Sequence, residues 1–151
     1  MKIIAIDNKK LELKEAAIPT PKDDEILIKI KAAGVNRADI AQKNGLYPPP
    51  LGASEILGLE CSGIIESIGK KVTSKNPGDE VIALLSGGGY AEYVTCPEHH
   101  AINKPLNLSW IEGASIPEVY ATCWLNLFTE GNMQEGDKVV FHAGASGIGT
   151  A

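Results

Sequence analysis

The sequence predicts two unlike parts: a β-rich barrel or sandwich of short strands, handing over near residue 115 to an α/β part. Three observations carry this. Short runs of alternating apolar residues are separated by turn residues through the first hundred positions. Sixteen Gly and nine Pro stand against two Trp, four Tyr and two Phe, a composition of many turns and many short strands. After about Asn107 the pattern changes to helix start signals, an apolar run and a glycine-rich turn.

Taken in order, Met1 to Ile6 carries one lysine and four consecutive apolar residues, too few for a signal-peptide core or a membrane span. Residues 25–33 (EILIKIKAA) put Ile26, Ile28 and Ile30 on one face and Lys29 and Lys31 on the other, the period of a strand. Asn36 can cap a short helix over Arg37–Asn44, with Asp39 at its third position and Gly45 as its stop. Tyr47-Pro48-Pro49-Pro50 is then stiff and extended, because each proline fixes φ. Residues 60–68 (ECSGIIESI) read as a strand closed by Gly69, and the turn Asn76-Pro77-Gly78-Asp79 leads into another over Glu80–Leu85. Gly87-Gly88-Gly89 gives a loop, and 90–96 (YAEYVTC) a further strand.

In the later part, Ser109-Trp110-Ile111-Glu112 matches a capping box. Residues 117–130 form one helix with Pro at its start, an apolar face and Gly131 beyond its end. Asp137–His142 reads as a buried strand, followed by glycine-rich Ala143–Gly149.

Composition narrows the function classes. Lys plus Arg is 14 and Asp plus Glu is 19, a net charge of −5 without a basic run, which argues against nucleic acid and against an anionic membrane as partners. Cys61, Cys96 and Cys123 are far apart and odd in number, so neither a disulfide framework nor a zinc knuckle is expected, and a cytoplasmic location fits. His99 and His100 are adjacent; on a strand they point to opposite faces and cannot chelate together.

Strand 138–142 followed by Ala143-Gly144-Ala145-Ser146-Gly147-Ile148-Gly149 has the form of the first βα turn of a dinucleotide-binding domain. A pyrophosphate reaches backbone N–H groups only where side chains are absent, and a helix N-terminus favours its charge. The spacing here is G-x-x-G-x-G, so a plain glycine turn reads as well. Because the following helix would start where the 151 residues stop, the expectation is the front part of a longer protein.

Several ordered motifs then carry a resemblance. They are Gly34-Val35-Asn36-Arg37-Ala38-Asp39, Gly45-Leu46-Tyr47-Pro48-Pro49-Pro50 and Gly58-Leu59-Glu60-Cys61-Ser62-Gly63. After them come Gly78-Asp79-Glu80-Val81, Gly88-Gly89-Tyr90-Ala91-Glu92-Tyr93-Val94 and the glycine-rich turn. Together the sequence resembles the zinc-independent quinone oxidoreductases of the medium-chain dehydrogenase/reductase superfamily, the zeta-crystallin-like branch, over essentially its whole length.

The resemblance implies a GroES-like β-barrel catalytic domain over 1–115 and the incomplete beginning of a Rossmann domain over 116–151. NADPH would bind in the cleft between them, a quinone or activated carbonyl compound would be the substrate, and the longer parent would be a homodimer. Zinc-dependent relatives carry Cys and His where this chain has Asn36 and Leu59, so no metal is expected: Glu60 alone is not a zinc site. The resemblance gives Asn36 and Tyr47 catalytic positions beside nicotinamide and substrate, where amide and phenol can hydrogen-bond a carbonyl. It adds Asn36, Thr122, Ala143, Gly144, Ser146, Gly147, Ile148 and Gly149 as cofactor contacts. From the residues alone, Asn36 reads equally as a helix cap, Tyr47 as a turn aromatic and Thr122 as a helix-interior threonine bonding its own backbone. Arg37 and Asp39 read as a surface or capping pair. The activity is expected of the longer parent, and the isolated 151 residues are expected to show little or none. Two other readings stay open: reduction of the alkene of enones, and an inactive GroES-like fragment acting as a binding module.

Overall fold

A computed structural model describes residues 1–151. Its centre is a five-stranded antiparallel sheet in the order β6-β3-β4-β5-β7, with β3 at Glu25–Ala33, β4 at Glu60–Ile68, β5 at Glu80–Leu84, β6 at Tyr93–Pro97 and β7 at Ala101–Asn103. The alternation read from the sequence sets its inner face. Ile26 and Ile28 of β3, Cys61 and Ile65 of β4, Val81 and Ala83 of β5, and Val94 and Cys96 of β6 join one buried cluster. Two register shifts in the β3–β4 pairing, between Leu27 and Ile28 and between Ile30 and Ala32, bend these long strands.

A hairpin of β1 (Lys2–Asp7) and β2 (Lys10–Glu15) is an element that the sequence pattern does not announce. Its signal is the Asn8-Lys9 pair, both at positive φ (48° and 63°), the backbone of a two-residue hairpin turn. The hairpin closes on the sheet where the Ile4 N–H donates to the Tyr90 carbonyl at 2.8 Å and Ile3 bridges Ala91. Tyr90 and Glu92 bond to β1, the Glu92 carbonyl also accepts from the Ile30 N–H of β3, and β6 starts at Tyr93 rather than at residue 90.

Helix α1 (Arg37–Lys43) lies between β3 and β4, and α2 (Trp110–Ala114) packs on β3, β4 and β5. The capping box of α2 is present: Ser109 Oγ accepts from the Glu112 N–H, and the Glu112 carboxylate accepts from the Ser109 N–H. Lys104 anchors the segment before α2. Its Nζ pairs with Glu80 at 3.2 Å, donates to the Leu108 carbonyl at 2.8 Å and sits 5.0 Å from the Trp110 ring centroid.

Three further expectations are corrected. The helix expected over 117–130 is α3 only over Pro117–Trp124; Leu125–Glu130 widens into π-helical turns, where the Gly131 N–H reaches the Asn126 carbonyl. The expected buried strand over 137–142 is irregular and exposed, with Val140 at 83% exposure, because no neighbouring strand lies beside it to take its backbone hydrogen bonds. His99 and His100 lie on a 3₁₀ turn, not a strand, with their rings edge to face at 4.9 Å.

Candidate functional site

Asn36 leaves β3 in an extended conformation and caps α1. Its backbone N–H donates to the Asp39 carboxylate at 2.8 Å, which fixes the turn into the helix. The Asn36 side chain turns to a different partner, with Nδ2 donating to Glu60 Oε1 at 2.8 Å. Glu60, at the head of β4, is 2% exposed. Its second oxygen accepts the Glu118 N–H at 2.9 Å, in the first turn of α3. One carboxylate thus ties the start of β4, the Asn36 amide and the start of α3 together. Gly34 makes this geometry possible, since a Cβ there would overlap the Glu60 carboxylate itself.

Burial pushes the Glu60 carboxyl above its ordinary value, against the pull of the hydrogen bonds from Glu118 and Asn36. A raised folded-state value means that Glu60 favours folding fully below its ordinary value of 4.5 and loses that contribution as pH rises through the raised one. Glu60→Gln removes the titration. Its oxygen can keep the Glu118 N–H, and a flipped Asn36 amide can accept from its nitrogen. In urea unfolding, the stability of Glu60→Gln relative to the parent is expected to climb as pH rises above 4.5. A difference flat in pH would show that Glu60 ionises as easily in the fold as in the unfolded chain.

Sequence reasoning underrates Asp39. It is 3% exposed, no surface residue, and accepts from the Asn36 N–H, from the Gly58 N–H at 3.1 Å and from the Tyr90 hydroxyl at 2.8 Å. It joins α1, the loop before β4 and the β1 contact at Tyr90. Burial, then the bond to Asp39, pushes the Tyr90 phenol up, so it stays a donor. A signal is present in the sequence: an acid three residues after Asn36 with a tyrosine in the glycine loop.

An open cleft of about 450 Å³ is lined by Asn36, Glu60, Ile116, Val119, Gly147 and Thr150, among others. It brings Asn36 and the glycine-rich turn together. Gly144 faces open space, and Gly149 lies so close to the Gly144 backbone that its own Cβ would meet it at 2.5 Å. Ala143 takes a positive φ of 56°, and the Ser146 hydroxyl accepts from the Gly149 N–H as the cap of α4 (Gly147–Thr150). Ile148 gives its carbonyl to the Cys123 thiol at 3.5 Å.

Two expected site residues stand elsewhere. Tyr47 lines a different groove, with Gln42, Pro48 and β1 residues. The Thr122 hydroxyl donates to Glu118 Oε2 at 3.1 Å, neither to its own backbone nor into the cleft lining. Cys61 and Cys96 are buried thiols, pushed up by burial, Cys96 to about 12, so neither is a nucleophile. No cluster of three His, Cys, Asp or Glu residues has metal-holding geometry; the donors at the cleft are one carboxylate and one carboxamide.

Residues 22–106 match the model of the alcohol dehydrogenase GroES-like domain. The chain is 34% identical to a synaptic vesicle membrane protein VAT-1 homolog of Danio rerio over 145 residues, 96% of this chain and 30% of that protein. It superposes on the CurK enoyl reductase with a TM-score of 0.89 and 28% identity, covering 99% of this chain and 48% of that one. For the quinone oxidoreductase of Coxiella burnetii the TM-score is 0.82 and the identity 29%, covering 99% and 50%. The chain thus spans about a third of that curated relative and about half of those structures.

Proposed function

From the premise that this chain belongs to the alcohol dehydrogenase GroES-like domain family, and is quinone-oxidoreductase-like within the medium-chain dehydrogenase/reductase superfamily, we propose that it forms part of an NADPH-dependent quinone reductase needing no zinc. The observation that carries the reading is the shared cleft: the Asn36 amide, fixed by Glu60, lines the same cavity as the glycine-rich turn.

The residues present fit a nicotinamide dinucleotide. The open face at Gly144 and the close packing of Gly149 on it leave backbone accessible, as a pyrophosphate requires. In this reading Ala143, Gly144, Ser146, Gly147, Ile148 and Gly149 hold the phosphates and Asn36 meets the nicotinamide end. The bound cofactor supplies the reducing equivalents. The chain orients. Because Asn36 Nδ2–H donates to Glu60, Oδ1 is the amide atom turned to a ligand, as an acceptor for its N–H. Ile116 and Val119 give the cleft apolar walls that displace water from a planar ring. Glu118, bonded through its N–H to Glu60, keeps α3 and the barrel at a fixed separation around that ring. Tyr47 lines a separate groove, and in this reading the barrel over 1–115 meets the nucleotide-binding part over 116–151 at the Glu60–Glu118 contact.

A second reading, reduction of the activated alkene of an enone, is favoured by the likeness to an enoyl reductase at a TM-score of 0.89. The test titrates the whole reductase of which this chain forms part with NADPH and with NADH, following tryptophan fluorescence, and then supplies a benzoquinone or an enone. NADPH binding with quinone-dependent oxidation is expected. Asn36→Ala should weaken NADPH binding about tenfold, the worth of roughly one hydrogen bond in a desolvated cleft. Oxidation with the enone alone would replace the first reading by the second, and absence of NADPH binding would overturn both.

A further inference from the structure

The structure holds a second cavity that the proposed cofactor cleft does not use. It lies between β1 and the proline-rich segment, has a volume of about 480 Å³, and is walled by Ile3, Ala5, Ile6, Tyr47, Pro48 and Ile56. That is the size of a small-molecule site, and no lining residue is common to the two cavities. Gln42, on the inner face of α1 one turn after Asp39, also lines it and is 9% exposed.

The Gln42 carboxamide makes no hydrogen bond to the protein, whereas every fully buried polar side-chain atom has a partner. Because no side-chain polar atom is both fully buried and unpartnered, its amide atoms keep contact with solvent, and Gln42 lines the groove. Water or a ligand therefore answers them there.

We propose that this groove is a binding site for a neutral, planar, mostly apolar ring carrying a cis-amide edge, with Gln42 as its recognition residue. A carboxamide offers an N–H donor and a carbonyl acceptor side by side. A lactam presents the complement: its carbonyl accepts from Gln42 Nε2, and its N–H donates to Gln42 Oε1. The flat faces of Tyr47 and Pro48 suit a ring, and the walls carry no cation to hold an anion. Glu55, exposed at the rim, disfavours anions further. This site stands independently of the reductase reading, since it needs neither NADPH nor Asn36.

The test follows ¹H–¹⁵N spectra of the protein during titration with 2-quinolone and, separately, with N-methyl-2-quinolone, which keeps the ring and carbonyl but lacks the N–H. Assignment of the Gln42 side-chain resonances comes from Gln42→Met. The expected result is a shift of the Gln42 Nε2 protons with 2-quinolone, and binding of the N-methyl compound weaker by about tenfold or more. Gln42→Met should erase the difference between the two compounds, whereas Gln42→Glu, a second variant of unchanged size, still accepts the N–H and should keep the difference while weakening both compounds by setting an acceptor against the shared carbonyl. Equal affinities for the two compounds, shifts centred on Asn36 and Gly147 instead, or no shift up to the solubility of 2-quinolone would each overturn the proposal.

Discussion

Asp39→Ala is expected to destabilise the protein by about 3–5 kcal/mol, the cost of leaving several buried donors without their charged acceptor. Three donors converge on that carboxylate: the Asn36 and Gly58 N–H groups and the Tyr90 hydroxyl. At 3% exposure, no water reaches Asp39 freely to replace it. For a chain of this size the melting temperature should fall by roughly 10–15 °C. Asp39→Asn with its oxygen in the Oδ2 position keeps the Asn36 N–H and the Tyr90 hydroxyl and sets a nitrogen against the Gly58 N–H, so about half the loss should be recovered. Thermal unfolding of both variants decides it. Equal losses would mean that the charge, not the hydrogen-bond geometry, is what the fold needs there.

Gly63→Val should be comparably severe for a different reason. Gly63 sits in β4 opposite Ile30, beside a register shift in β3. A Cβ there would run into the Lys29 carbonyl oxygen and come within 2.6 Å of Ile28 Cγ2. Backbone cannot step aside as a flexible side chain can, so the two central strands must part and the packing around Ile28 and Ile65 opens. A cost of about 3 kcal/mol or more is expected, in the range of overpacked cores. Gly144→Ala provides the contrast. Its Cβ would meet nothing within 4 Å, so its melting temperature should stay within a degree or two of the parent. Similar losses from both substitutions would remove steric crowding as the explanation.

These effects bear on how far the chain can be read without its structure. The strands over 25–33 and 60–68 match β3 and β4 to the residue, because apolar runs and the turn residues that close them are local signals. The capping signals of α1 and α2 are also legible, since a cap is a contact between residues three apart. Two elements resist. The β1–β2 hairpin hides behind a polar second strand, KLELKE, whose residues are all exposed and give no core signal. The apolar run at 138–142 has the composition of a buried strand, but a strand forms only where a neighbour pairs with it.

By itself the sequence determined the handover from a β-rich part to helices and a glycine turn, the family to which the chain belongs, and Asn36 as a residue of interest. Only the tertiary structure decided what surrounds those residues. It buried Asp39 as a hub, set Glu60 between Asn36 and Glu118, and moved Tyr47 out of the Asn36 cleft into the groove beside Gln42. The physical reason is range. Pattern and capping act within a few residues along the chain, whereas Asn36 and Glu60 are 24 residues apart, Asp39 and Tyr90 51, and Glu60 and Glu118 58. What a buried carboxylate does depends on partners that the chain meets only once the sheet has closed.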